Sequence, residues 1–381
     1  MFYDQSRFDK QQFEAELTAL AKTTREREDK TDMNHLLTIV NWTNLLGFIG
    51  LATFWYQVSI IPIVCISTYT FAKWTIIGHH TCHGGYDKVG KGTQYNRFIF
   101  GIGYRRFIDW FDWFLPEAWN VEHNNRHHYH LGEVTDPDLV EDNMVDLRNS
   151  KIPLHFKYVI TMILMVSWKY TYYASNTYKE LCIHKHEKKT NLDITKGRGV
   201  SMIYSSLTRR KHWYSFFSLL WNVIGPYFVF RFVLLPLPLY YINQTYHTNA
   251  IINLVLAEML TNFHSFVMVV TNHCGSDVCR FTTPCDLSDK GDFYLRQITG
   301  SVNYTNGNEI VDYFHGYLNY QIEHHLFPDM TMKSYRAMAP IVKEICAKYG
   351  VIYIKENVLI RLKKTIDVFV GTASMKVVSG K

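Results

Sequence analysis

The sequence predicts an all-α integral membrane protein, a four-helix stem of two transmembrane hairpins carrying a cytosolic helical cap. Three observations predict it. Four long apolar segments stand in two pairs, and 8 of the 18 histidines crowd into three short windows. Each window lies at the end of a span or in the polar segment beyond it, so all three meet at one membrane face.

The composition agrees. Hydrophobic residues are 47% and charged residues 19% of the chain, and aromatics reach 15%, with 26 Tyr, 24 Phe and 9 Trp. This is the balance of a membrane protein with aromatic side chains at its interfaces. Mean hydropathy is -0.12, so large polar segments accompany the spans. The net charge of +6 is mild. Lysines and arginines that set membrane topology account for it, and no nucleic-acid partner is expected. The 7 cysteines form no C-x-x-C pair and fit a reducing compartment. Cys274, Cys279 and Cys285 are spaced too loosely for zinc and read as solitary thiols.

Taken in order, residues 1–33 form a charged cytosolic N-terminal segment with no cleavable-signal pattern, which leaves insertion to the internal spans. The spans fall at about 35–55, 58–78, 214–242 and 249–271, each near the roughly 20 helical residues that cross about 30 Å of hydrocarbon. The short turns at 56–57 and 243–248 carry no Lys or Arg, whereas residues 179–211 include Lys185, Lys188, Lys189, Arg209, Arg210 and Lys211. The positive-inside rule then places the turns outside and both termini in the cytosol. Residues 154–174 are apolar but contain Lys157, Trp168 and Lys169. A crossing there would put the later histidines on the wrong side, so this segment is expected to lie along the cytosolic interface. Near the end, Tyr335, Met338, Ile341, Val342, Ile345 and Tyr349 mark a helix, and residues 351–354 read as a short strand. The histidine-bearing domain is expected to occupy 34–350, with 351–381 as a C-terminal cytosolic tail.

The windows read GHHTCH at 78–83, HNNRHH at 123–128 and QIEHH at 321–325. Residues four apart share a helix face, so His79 with His83, and His123 with His127, can each point two imidazoles at one centre, with His128 alongside. Gln321, His324 and His325 share a face in the same way, and Glu323 lies off it. His273, just after the fourth span, reaches the same membrane face. Neutral imidazole binds iron, zinc, copper or nickel, and so many exceed the needs of one tetrahedral ion, so two ions are implied. His80 and His130 flank the windows but point about 100° away from the ligand face. The scattered His35, His155, His184, His186, His212, His247, His264 and His315 read as interfacial or hydrogen-bonded residues.

Such a neutral ligand set leaves a strongly positive metal pair suited to activating dioxygen. Taking hydrogen from an unactivated methylene is beyond side-chain acid–base chemistry and requires a cofactor. A membrane metal transporter is the reading from another class. It calls for ligands along the spans, which offer little beyond His264 and Glu258.

HHTCH, HNNRHH and QIEHH, together with HHYHLGEVTDPDL and YLNYQIEHHLFPDM, resemble the three histidine boxes of the membrane fatty acid desaturases. The glutamine opening the third box resembles the front-end acyl desaturases, which act between an existing double bond and the carboxyl end. The resemblance implies an oxidoreductase of lipid metabolism that uses O2 to place a C=C bond in an acyl lipid, acyl-CoA or acyl-ACP. Hydroxylases, acetylenases and sphingoid-base or terminal-alkene-forming relatives share the boxes. It makes His79, His83, His123, His127, His128, His273, His324 and His325 ligands of two non-haem irons, with Gln321 a weak ligand or an outer partner. It also implies a mushroom-shaped fold with an acyl tunnel beneath the metals. Asp136 and Asp138 of the DPD sequence would orient ligand imidazoles or form a turn. No HPGG haem motif occurs, and 33 leading residues are too few for a fused cytochrome b5 domain, so a separate cytochrome b5 or ferredoxin is expected to supply electrons. His80 stands where the family often has aspartate. The membrane would be the endoplasmic reticulum in a eukaryote or the inner membrane in a bacterium.

Overall fold

Four helices are long and apolar enough to cross a membrane: Lys30–Thr53, Ile60–Cys82, Phe216–Ile242 and Gln244–Asn272. They belong to a computed structural model that describes residues 3–190, 216–305 and 307–379. Arg209, Arg210, Lys211, His212 and the first residues of the expected third span lie outside the described residues, as do the side chains of Lys188 and Lys189.

Capping fixes where these helices start. Asp29 accepts from the backbone of Thr31 and forms a reciprocal capping box with Asp32 ahead of the first span. Asn243 caps the fourth by accepting from the Thr245 backbone N–H at 2.8 Å. The second and fourth spans are mostly buried against neighbours, and the first and third mostly exposed. Two glycines let the first hairpin close: a methyl at Gly47 would press into the Tyr69 ring, and one at Gly50 into Ile66. Asn253 of the fourth span then holds the turn of that hairpin, donating to the carbonyls of Phe54 at 2.7 Å and Gln57 at 2.8 Å.

The second span continues past its expected end to Cys82, through a π-helical stretch at Lys73–Gly78. The first histidine box therefore rides on the end of a span rather than on a loop. The second box sits on a helical run over residues 116–130 that opens with Pro116 in its first turn. Within it, Asn120–His127 is π-helical.

Helix Leu154–Met165 has 12 residues. At 1.5 Å per residue it is about 18 Å long, too short to cross a bilayer. Its Phe156, Val159, Met162 and Ile163 are exposed, while it also packs on the C-terminal helix Val358–Val370.

Helix Met332–Lys348 covers the expected C-terminal helix. The strand expected at 351–354 falls later. Val351 makes one bridge to Tyr3, and the strand forms at Lys355–Glu356, parallel to Asn303–Tyr304. A strand needs a partner edge, and that edge lies opposite residues 355 and 356, while the β-branched Val351 is spent on packing. Residues beyond 351 fold back onto the body. Arg361 of helix Val358–Val370 is buried, donating to the Cys274 carbonyl at 2.8 Å and to Asp277 at 2.6 Å. Strand Lys376–Val378 pairs in parallel with Cys279–Phe281. These contacts brace the segment that carries His273.

Candidate metal centre

The eight histidines expected as ligands come together as two groups. One ring nitrogen from each of His79, His83, His123, His128 and His324 lies within 4.8 Å of the others, and the same holds for His127, His273 and His325. His79 and His83 share the α-helical turn at the end of the second span and fall in one group, as four-residue spacing predicts.

The second box departs from expectation. His123 and His127 do not share a centre: His123 joins the five-histidine group and His127 the three-histidine group. The π-helical geometry of Asn120–His127 is the reason, because a wider turn brings residues five apart onto one face. His128, five residues on, thus faces His123, with Nε2 to Nε2 at 3.3 Å.

The third box also divides. His324 meets His79, Nε2 to Nε2 at 2.8 Å, and His325 faces the other group. The Gln321 amide lies 2.8 Å from His273 Nε2. Adjacent residues on a helix diverge by about 100°, so each His-His pair straddles the two groups instead of serving one.

These separations fit metal binding. Two nitrogens about 2.1 Å from one ion and at right angles to each other stand about 3.0 Å apart. His83 Nε2 and His325 Nε2 are buried without a hydrogen-bond partner, a costly state that a metal would relieve. Burial first, and neighbouring imidazoles second, hold His123, His128, His324 and His325 well below the usual histidine range. This favours the neutral form that metal binding requires.

Hydrogen bonds behind the rings hold the smaller group. His127 Nδ1 faces Asp136 Oδ1 at 2.9 Å. Burial opposes protonation of His127, but the Asp136 carboxylate holds it above the ordinary range. His273 Nδ1 faces the Gly300 carbonyl at 3.1 Å. His325 Nδ1 meets Gln297 Oε1 at 3.0 Å, and Gln297 Nε2 donates to the His128 carbonyl at 3.1 Å. Such partners fix ring orientation and tautomer. Gln297 carried no signal in the sequence, being one polar residue on the amphipathic helix Lys290–Thr299.

Asp136 thus orients an imidazole, whereas Asp138 does not. Asp138 is hydrogen-bonded to Glu122, and burial pushes its carboxyl up to about 6. Burial, followed by the charge of Asp138, drives Glu122 well above the carboxylate range. Tyr173 donates to the same glutamate at 3.2 Å. Glu323 turns away from the imidazoles and accepts from Asn303 at 2.8 Å and Tyr353 at 2.9 Å, tying the third box to the strand pair.

His80 stands outside both groups, with Nδ1 2.9 Å from the Ile76 carbonyl. His130 pairs with Glu133 at 3.1 Å. Within the spans, Glu258 accepts from Trp113 Nε1 at 2.7 Å and faces Arg231 at 3.3 Å, and His264 faces the Phe314 carbonyl at 2.7 Å. Both are used in packing the stem, and among the described residues neither joins a metal-holding group.

A cavity of about 440 Å³ reaches the centre from one side. Its wall is largely apolar, including Leu164, Trp168, Phe266, Val269 and Phe369, and His79, His123, His127 and His273 line it as well.

Four helices long and apolar enough to cross a membrane, together with two groups of histidines that could hold metal, are the marks of a membrane metalloprotein. The chain belongs to the fatty acid desaturase family, whose model matches residues 53–357. It is 27% identical over 252 residues to Delta(5) fatty acid desaturase A of Dictyostelium discoideum, covering 63% of this chain and 49% of that relative. A stretch of 43 residues is 58% identical to fatty acid desaturase 3 of Bos taurus, covering 11% of this chain and 10% of the relative. Over 124 residues it is 31% identical to NADPH-dependent stearoyl-CoA 9-desaturase of Mycobacterium tuberculosis, covering 32% of this chain and 29% of that one. The chain therefore spans about half the length of the first of these relatives, or less of the others. No solved structure matches it significantly.

Proposed function

We propose that this protein uses O2 to insert a double bond into a fatty acyl chain held in the apolar cavity. The reaction converts –CH2–CH2– with O2, two electrons and two protons into –CH=CH– and two waters. Two non-haem irons are the cofactor: His79, His83, His123, His128 and His324 would hold one, and His127, His273 and His325 the other. Gln321 is a weak ligand or outer partner of the second. Bound iron would supply the oxygen activation and hydrogen removal that side chains cannot.

The protein's own residues do the rest. Asp136, Gln297 and the Gly300 carbonyl aim the rings of the smaller group, and Trp168, Phe266 and Phe369 keep water from the acyl chain. One observation carries the reading: the two histidine groups stand side by side against a largely apolar cavity, with His79 and His123 of one group and His127 and His273 of the other in its wall. The glutamine of the third box and the similarity to a Delta(5) enzyme support front-end regiochemistry. The centre faces the cytosol in this reading, and a separate cytochrome b5 or ferredoxin supplies the electrons.

Fatty-acid profiling of a host expressing the chain tests this. A new double bond that His127→Ala removes, with close to two irons in the purified protein, is the expected result. A hydroxylated or terminal-alkene product would reassign the reaction within the family, and a single zinc with activity indifferent to His127→Ala would overturn it.

A further inference from the structure

The cavity opens at one place. Of the residues lining it, only Asp146 and Ile152 are exposed, while Leu147, Ser150 and Leu164 are half-buried and the lining histidines are buried or half-buried. This mouth lies beside helix Leu154–Met165, which supplies Ile160 and Leu164 to the cavity wall. The adjoining face of the same helix exposes Phe156 at 54%, Val159 at 53% and Ile163 at 58%. An apolar face of this size on a short helix belongs in the outer layer of a lipid leaflet, so the mouth stands at headgroup depth.

Charge at the mouth narrows the choice of acyl carrier. Arg148 is committed to Glu141 at 2.8 Å and to Ser374 at 3.0 Å. Lys157 is buried and donates to the Arg148 carbonyl at 2.6 Å. Arg280 pairs with Glu141 and Asp142, both at 2.9 Å. Among the described residues, no ion pair reaches Asp146 or Lys151, both exposed. Asp146 at the mouth and Lys151, which falls between the lining residues Ser150 and Ile152, are thus a carboxylate and an ammonium without an ion pair among the described residues.

Resting on the desaturation proposed above, we infer that the substrate is the acyl chain of a zwitterionic membrane phospholipid. Its phosphate would meet Lys151 and its ammonium Asp146, while the chain follows the cavity inward. A coenzyme A thioester carries several phosphate charges, and binding it calls for a cluster of Lys and Arg. Among the described residues no Lys or Arg lines the cavity itself, which opposes such a ligand.

The test uses membranes of a host expressing the full chain, with the host's own electron carriers. Phosphatidylcholine vesicles with deuterated acyl chains are supplied in one arm and the matching deuterated acyl-CoA in the other, and products are followed from the earliest time by mass spectrometry. The expected result is a labelled double bond in phosphatidylcholine about tenfold ahead of acyl-CoA. Product arising first, or equally, in acyl-CoA overturns the inference while leaving desaturation standing. Product from neither source overturns the desaturase reading itself. Asp146→Lys should shift the ratio about tenfold toward acyl-CoA and Lys151→Glu should shift it the other way. Ratios unmoved by both variants overturn the assignment of these two residues to the headgroup.

Discussion

The two histidine groups are cut from the same boxes, yet they are supported differently. In the three-histidine group every Nδ1 has a partner behind it: Asp136, the Gly300 carbonyl or Gln297. In the five-histidine group His123 Nδ1 and His128 Nδ1 are buried with none. Tyr335 OH backs His324 Nδ1 at 3.3 Å, and the rings otherwise rest on one another, His83 against His128 with centroids 4.4 Å apart and His79 against His324 at 4.6 Å. One group has more histidines and less backing, the other fewer histidines with a partner behind each. A site can be secured by either route, since ligand number and oriented outer hydrogen bonds both raise affinity.

The sharpest way to break this contrast is to remove one ligand from each group. His83→Ala and His127→Ala should each abolish desaturation, by at least about a hundredfold, and each should cost one iron of two by elemental analysis. Loss of both irons from either variant would mean that the groups form a single unit. Next in size is Asp136→Asn, which keeps shape and removes charge. It should weaken the ion of the smaller group by about 10- to 100-fold and leave the larger group loaded, as read by iron retention against a graded chelator.

A gentler probe is the order of metal loss in the unaltered protein. Five ligands against three predict that a chelator releases one iron well before the other, in two phases. A single phase would remove the distinction. The smallest effect is expected from Gln321→His, which offers the smaller group a stronger ligand beside His273. Its ion should be retained about tenfold better, which would show as a narrowing of the gap between the phases. An unchanged gap would place Gln321 outside the ligand set.

Much of this arrangement was legible beforehand. Clustering singled out seven of the eight histidines that meet at the centre, because chance rarely packs so many into windows so short, while His273 was reached from its place just after the fourth span. The spans were legible because a bilayer demands long apolar helices and leaves few alternatives. The partition of the ligands was not. It turns on π-helical backbone at Asn120–His127, and a periodicity argument assumes 3.6 residues per turn. The strand shift from 351–354 to Lys355–Glu356 has a similar origin, since pairing depends on where Asn303–Tyr304 happens to lie.

The amino-acid sequence by itself determined which side chains can bind metal, how many helices can cross a bilayer, and the order in which the boxes reach one face. These follow from residue chemistry and local periodicity, which are written along the chain. Only the tertiary structure decided which histidine serves which group, that Asp136 orients an imidazole while Asp138 pairs with Glu122, and that the cavity opens between Asp146 and Ile152. Those outcomes depend on contacts between segments far apart in sequence, as His79 with His324 and His325 with Gln297 show. No local pattern encodes them, because the geometry of each contact is set by how the intervening elements pack.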